Sequence, residues 1–201
     1  MTCVEEILRE AREHLLVAKS GLAMIVSGLG EGRIGLRNVA VFGRMVTFAT
    51  NNLRSCLSGF DDWDIAAKRR HFDNTDCRYM NELRNVIEKQ ARTPVSMSAH
   101  IYSFRMGDQR KFERPPGATS FFTGDRNGGS GWLVPGPDGN EVPFYVALPP
   151  EIGKVTLSLP ENGGRSAAEC AGSYVAALEA YLDDLKTVSY THLTLPTNRE
   201  V

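Results

Sequence analysis

The sequence predicts an α+β protein with an N-terminal antiparallel helical bundle, a small antiparallel β meander, and a C-terminal helix that packs back on the bundle. Three observations predict it. Apolar residues recur at three- and four-residue steps through positions 4–90, the period of a helix with one buried face. From Val95 onward the chain changes to short β-branched and aromatic runs separated by Gly, Pro, Asn and Asp. After Pro160 the helical spacing returns. The expected division is a bundle over 1–93, a β region over 94–164, a C-terminal helix over 165–187 and a separate tail over 188–201.

The first helix is expected to start at a capping box, Thr2 with Glu5, and to bury Ile7, Leu8, Ala11, Leu15, Ala18, Leu22, Ile25 and Val26. Gly28, Gly30 and Gly32 end it. A second helix is expected over 36–57, with Val39, Ala40, Phe42, Val46, Ala49, Leu53 and Leu57 inward. A short helix over 60–72 carries Trp63, Ile65 and the basic run Lys68-Arg69-Arg70. Asp73-Asn74 breaks it, and Thr75 caps a further helix to about Gln90, before Pro94 stops any continuation. Strands are expected over 95–104, 118–123, 131–134, 142–148 and 155–159, as one small antiparallel sheet. Pro137-Asp138-Gly139-Asn140 is the clearest hairpin turn, and Pro143 puts the following strand at an edge or a strand start. Ser166 and Glu169 repeat the capping-box spacing before the last helix, whose face is Tyr174, Val175, Leu178, Tyr181, Leu182 and Leu185. Phe121-Phe122 must point to opposite faces of its strand. One ring therefore needs cover, from the last helix or from a partner chain.

A chain of 201 residues buries roughly 70% of the surface its unfolded form exposes, so it folds without disulfides or metal. The net charge of −1 gives no support to a polyanion-coating role. Cys3, Cys56, Cys77 and Cys170 show neither C-x-x-C spacing nor a nearby His at zinc-ligand spacing, so reduced thiols are expected. No cofactor and no metal site is predicted. The start of the chain lacks the pattern of a secretory leader, and the longest mostly apolar stretch is too short to span a bilayer, so a cytoplasmic protein without membrane contact is the expectation.

Two glycine-rich loops invite a phosphate reading. Gly30-Glu31-Gly32-Arg33-Ile34-Gly35 fits G-x-G-x-x-G, but a dinucleotide site needs a strand before that motif and here a helix precedes it. An interhelical turn is expected instead. In Asp125-Arg126-Asn127-Gly128-Gly129-Ser130-Gly131, the amides near Gly128 and Gly129, with Arg126 beside them, are candidates for binding a small ligand as an anion nest. The alternative is a plain turn within the meander. Lys68, Arg69 and Arg70, followed by His71, are candidates for nucleic-acid contact or simply a solvated helix face. His14 is expected on the surface, and His100 on the first strand.

Leu36-Arg37-Asn38 and Leu83-Arg84-Asn85 recur on two helices. Arg84-Asn85, with Glu82 and Lys89 within two turns, resembles the first half of the motif of HEPN-superfamily helical bundles, in which an Arg, often Arg-Asn, is followed four to six residues later by His. The resemblance covers at most positions 4–90. It implies a dimer that brings two motifs together and binds or cuts RNA without metal, with Arg84, Asn85 and Lys89 as the candidate catalytic residues. Lys89 stands where the family has His. A Lys ordinarily stays cationic at neutral pH where His exchanges a proton, so the resemblance implies binding rather than cleavage. The alternative for Arg84 is a structural ion pair with Glu82, Glu88 or another helix. The absence of an evident catalytic set leads to the expectation of a non-catalytic, self-associating or partner-binding module, with a homodimer and RNA as candidate partners. A ligand pocket between sheet and bundle is a third expectation.

The run Val188-Ser189-Tyr190-Thr191-His192-Leu193-Thr194-Leu195-Pro196-Thr197 breaks the helical pattern. It resembles the translation of the transposase adapter used in short-read sequencing libraries. Residues 188–201 are therefore read as non-native, which removes His192 from consideration and leaves a truncated last helix. Dropping Arg199 and Glu200 with the tail leaves the net charge unchanged.

Overall fold

A computed structural model describes residues 3–27, 31–103, 105, 107–126, 129–149 and 151–194. They form α1 (Cys3–Ser27), α2 (Gly32–Asn51), α3 (Phe60–Phe72), α4 (Thr75–Gln90), β1 (Ser96–Ile101), β2 (Ser120–Thr123), β3 (Ser130–Pro135), β4 (Glu141–Val146), β5 (Gly153–Leu159), β6 (Arg165–Ser166) and α5 (Ala167–Thr194). The α+β class and the order of helices, meander and return helix are those the sequence predicts.

α1 and α2 form an antiparallel hairpin whose axes approach closely at two glycines. A Cβ on Gly35 would lie 2.3 Å from the Gly21 carbonyl oxygen, and one on Gly21 would lie 2.5 Å from the Gly35 carbonyl oxygen. Only hydrogen fits there, and this accounts for the last glycine of the G-x-G-x-x-G run. Gly30 lies outside the described residues, as does Thr2. α2 begins four residues earlier than expected and ends at Asn51, where the chain tightens into a 3₁₀ turn over Asn52–Ser55.

The hairpin also brings the start of α1 to the end of α2. Cys3 and Cys56 are joined there by a disulfide, with Cα atoms 6.5 Å apart. This corrects the expectation of reduced thiols throughout. Their sequence separation of 53 is invisible to spacing rules and follows from the helix pairing. Cys77 and Cys170 are free and buried.

α4 is capped by Asn74, whose Oδ1 accepts from the Cys77 amide at 2.9 Å. The cap is thus one residue before Thr75. α5 runs against all four other helices. Its residues Tyr174, Leu178, Tyr181 and Leu185 are essentially inaccessible and form the centre of the core with Leu36, Val39, Leu53, Phe60, Met80 and Leu83. The helix continues to Thr194, past the expected break at Val188. No Gly or Pro interrupts the sequence there until Pro196, so the helix has no local reason to stop earlier.

The strands make two sheets rather than one. β2, β3 and β4 form the expected meander, with Pro143 on the edge strand β4. β1 pairs antiparallel with β5, which pairs in turn with β6. The meander is thus inserted between two strands of the other sheet. Leu157 and Leu159 of β5 join the helical core, whereas Phe112, Ala118 and Trp132 are buried outside that cluster. Phe121 stacks on Phe112 and meets Trp132 edge-on, each with centroids 5.0 Å apart, and Phe122 lies 6.0 Å from Tyr145. Both rings thus pack within the meander and its flanking turn and are half-buried there. No helix of the described residues is long and apolar enough to cross a membrane.

Candidate functional site

Four helices enclose a cleft of about 190 Å³ lined by Arg44, Thr47, Lys68, Phe72, Asn81 and Tyr174. Helical spacing supplies the pairs: Arg44 and Thr47 lie one turn apart on α2, and Lys68 and Phe72 one turn apart on α3. Gly43 lets Tyr174 of α5 reach the α2 backbone, since a Cβ at position 43 would lie 2.4 Å from the ring's Cε1.

Below the cleft lies a buried polar network. The Asp64 carboxylate is 2% exposed and accepts from the Tyr181 hydroxyl at 2.7 Å and from Lys68 Nζ at 2.6 Å. Tyr181 and Thr50 share a hydroxyl–hydroxyl hydrogen bond of 3.1 Å. Burial, reinforced by the Asp64 carboxylate, raises the Tyr181 phenol far above its ordinary pKa and keeps it a donor. Lys68 also reaches Asn51 Oδ1 at 3.4 Å, so its ammonium is fixed at the edge of the cleft.

Other polar groups in the cleft lack a counter-charge or a hydrogen-bond partner. The Arg44 guanidinium lies over the Phe48 ring, 4.6 Å from its centroid, and donates from Nη1 to Thr47 Oγ1 at 3.4 Å. No carboxylate among the described residues pairs with it. Neither end of the Asn81 amide hydrogen-bonds to a described residue, and its Oδ1 is buried. Tyr174 is 1% exposed, and its hydroxyl makes no hydrogen bond to a described residue. Burial pushes its phenol well above the ordinary value, against a smaller opposing effect of Arg44.

Of the sequence-derived candidates, Lys68 lines this cleft and the others lie elsewhere. Arg84, one turn after Asn81 on α4, pairs with Glu88 at 2.7 Å and donates to Asn85 Oδ1 at 3.1 Å. Its guanidinium also lies 5.7 Å from the Phe48 centroid. Asn85 and Lys89 are exposed. The run Lys68-Arg69-Arg70 does not act as one face: Lys68 turns inward, Arg69 is exposed, and Arg70 pairs with Asp184 of α5 at 2.9 Å. In the glycine-rich loop, the Gly129 amide donates to Asp125 Oδ1 at 2.9 Å, and the Gly124 and Asp125 amides donate to the Gly129 carbonyl. These amides serve the loop itself. Arg126 is exposed, and Gly128 lies outside the described residues. A cleft of about 320 Å³ does separate sheet from bundle, at Ser27, Tyr102 and Lys154, but Gly129 and Arg126 do not line it.

Sequence reasoning missed two features. Arg44, Asn81 and Tyr174 converge only through the packing of three helices, and no motif connects them. His71 Nε2 lies 2.8 Å from Asp184 Oδ2, a pairing 113 residues apart that only the docking of α5 on α3 creates. That bond, assisted by Arg70, holds the Asp184 carboxyl below the usual range, with partial burial opposing. Among the described residues no three His, Cys, Asp or Glu side chains gather as a metal site. No family model, curated protein or solved structure matches this chain.

Proposed function

We propose that the chain is a non-catalytic, self-associating module that pairs through α2. The observation that carries this reading is an apolar stripe left on that helix. Ile34, Val41, Met45 and Phe48 follow at helical spacing; Ile34 is 57% exposed, and Met45 and Phe48 are each 37% exposed. A rise of 1.5 Å per residue makes the stripe about 21 Å long. Arg44 and Arg84 flank its Phe48 end, and aromatic and Arg side chains are the types enriched in protein interfaces. Two copies related by a twofold axis would place the Ile34 end of one α2 against the Phe48 end of the other. The net charge of −1 opposes such pairing little, and Glu88 beside Arg84 relieves like-charge contact. Sedimentation equilibrium tests the reading. The parent chain is expected to form a dimer and Phe48→Glu a monomer. A parent that stays strictly monomeric at high concentration overturns it.

A second reading, a HEPN-like RNA-binding or RNA-cleaving chain, draws support from the same place. Two guanidinium groups beside an exposed aromatic ring suit a stacked base and its phosphate. The internal Glu88 partner of Arg84 favours the first reading. An Arg84→Ala variant that binds and degrades RNA as the parent does would rule out the second.

A further inference from the structure

The geometry points to the cleft among α2, α3, α4 and α5 as a binding site for a small oxyanion, a carboxylate or phosphate of about glycolate size. This goes beyond the α2 pairing reading and does not depend on it.

Three groups of the cleft define the ligand. Arg44 supplies positive charge with no carboxylate to neutralise it among the described residues. The Tyr174 hydroxyl supplies a donor, and burial keeps the phenol protonated. Asn81 supplies an amide with neither end engaged. Leaving polar groups without hydrogen bonds costs free energy, so the Tyr174 hydroxyl and the Asn81 amide, set beside an Arg44 without a counter-charge, call for an explanation. Lys68 adds a fourth group. Its ammonium has three protons, of which two serve Asp64 Oδ2 and Asn51 Oδ1. The Asp64 carboxylate is turned from the cleft by its two bonds, to Lys68 and to Tyr181.

The arrangement assigns roles. Arg44, Lys68, Tyr174 and the Asn81 Nδ2 amide donate to the anionic oxygens. The Phe72 and Tyr174 rings, 6.3 Å apart, form an apolar wall of the cavity, against which each charge-assisted bond is stronger than in bulk water. A volume of about 190 Å³ equals some six waters at roughly 30 Å³ each. It matches inorganic phosphate or glycolate in size.

The test uses the full ¹⁵N-labelled chain, titrated separately with sodium phosphate and sodium glycolate, with sodium chloride at matched ionic strength as reference. The side-chain resonances of Arg44 and Asn81 are followed by NMR. A saturable shift at about millimolar ligand is expected with one or both anions. Saturation by phosphate alone, by glycolate alone, or by both identifies the source of the oxyanion. Tyr174→Phe, which removes only the unpartnered hydroxyl, is expected to weaken binding about five-fold without lowering the thermal midpoint. Asn81→Asp, which places a carboxylate in the cleft, is expected to abolish binding. Shifts no different from those with chloride, or a Tyr174→Phe chain that binds as the parent does, would overturn the assignment. The Phe48→Glu sedimentation result bears on the dimer alone, so the two readings fail separately.

Discussion

At the scale of single residues, caps and ion pairs have local, measurable effects. Asn74 satisfies one of the free amides that open α4, through its bond to the Cys77 amide. Asn74→Ala is expected to lower stability by about 1 kcal/mol, read from the urea midpoint, whereas Thr75→Ala should cost much less. The sequence showed that a cap belonged at this break, but Asn and Thr are both good caps and adjacent, and backbone conformation chose between them. Asp184 gives a pH signature. Its bonds to His71 and Arg70 lower its folded pKa, so the stability it contributes is complete above the ordinary carboxylate value and is lost as pH falls through the folded value. Between about pH 5 and pH 2, the parent should therefore lose more stability than Asp184→Asn, as measured by urea midpoints across that range. Nothing local in the sequence marks His71 or Asp184 as partners, because ion pairing between helices depends on docking, which periodicity does not encode.

At the scale of elements, the α1–α2 hairpin turns on the Gly21–Gly35 approach. Gly35→Ala gains up to about 1 kcal/mol of helix propensity. Against this, its Cβ meets a carbonyl oxygen of the backbone at 2.3 Å, which cannot swing away as a side chain would, and overpacking of this kind costs about 1–3 kcal/mol. The net effect is expected to be destabilising, with a lower urea midpoint; a midpoint above the parent's would contradict it. Helix periods, strand runs and the Asp138-Gly139 turn, where Gly139 adopts φ 79°, were legible because they are local. Which strands pair was not. β1 has its partner across the whole meander, and short strands of similar composition give no address for so distant a neighbour. The oxyanion cleft was illegible for the same reason, since Arg44, Asn81 and Tyr174 each look like ordinary members of their own helices.

At the scale of the whole molecule, α5 ties the four other helices into one core, so groups in that core should open together. Cys77 and Cys170 report on it. Both are inaccessible, and burial raises both thiols, Cys170 to about 12 with the Asp76 carboxylate adding to the effect. Thiolate is the reactive form. Neither should react with iodoacetamide at neutral pH until the fold opens globally, and both should then react at the same denaturant concentration, as followed by mass spectrometry. Labelling of one thiol well before the other would show that α4 and α5 separate early. The pairing of β1 with β5 has its own consequence for tolerance of change. Ile101 and Gly153 sit opposite each other in the register, so the chain leaves the first sheet and re-enters it at almost the same point. The insert's two ends thus lie side by side, which makes this a natural position for exchanging cargo. Replacing 104–150 with a short glycine-containing turn should leave the helical circular dichroism signal largely intact, and a new domain with closely spaced ends can be spliced in there without rebuilding the frame that carries it.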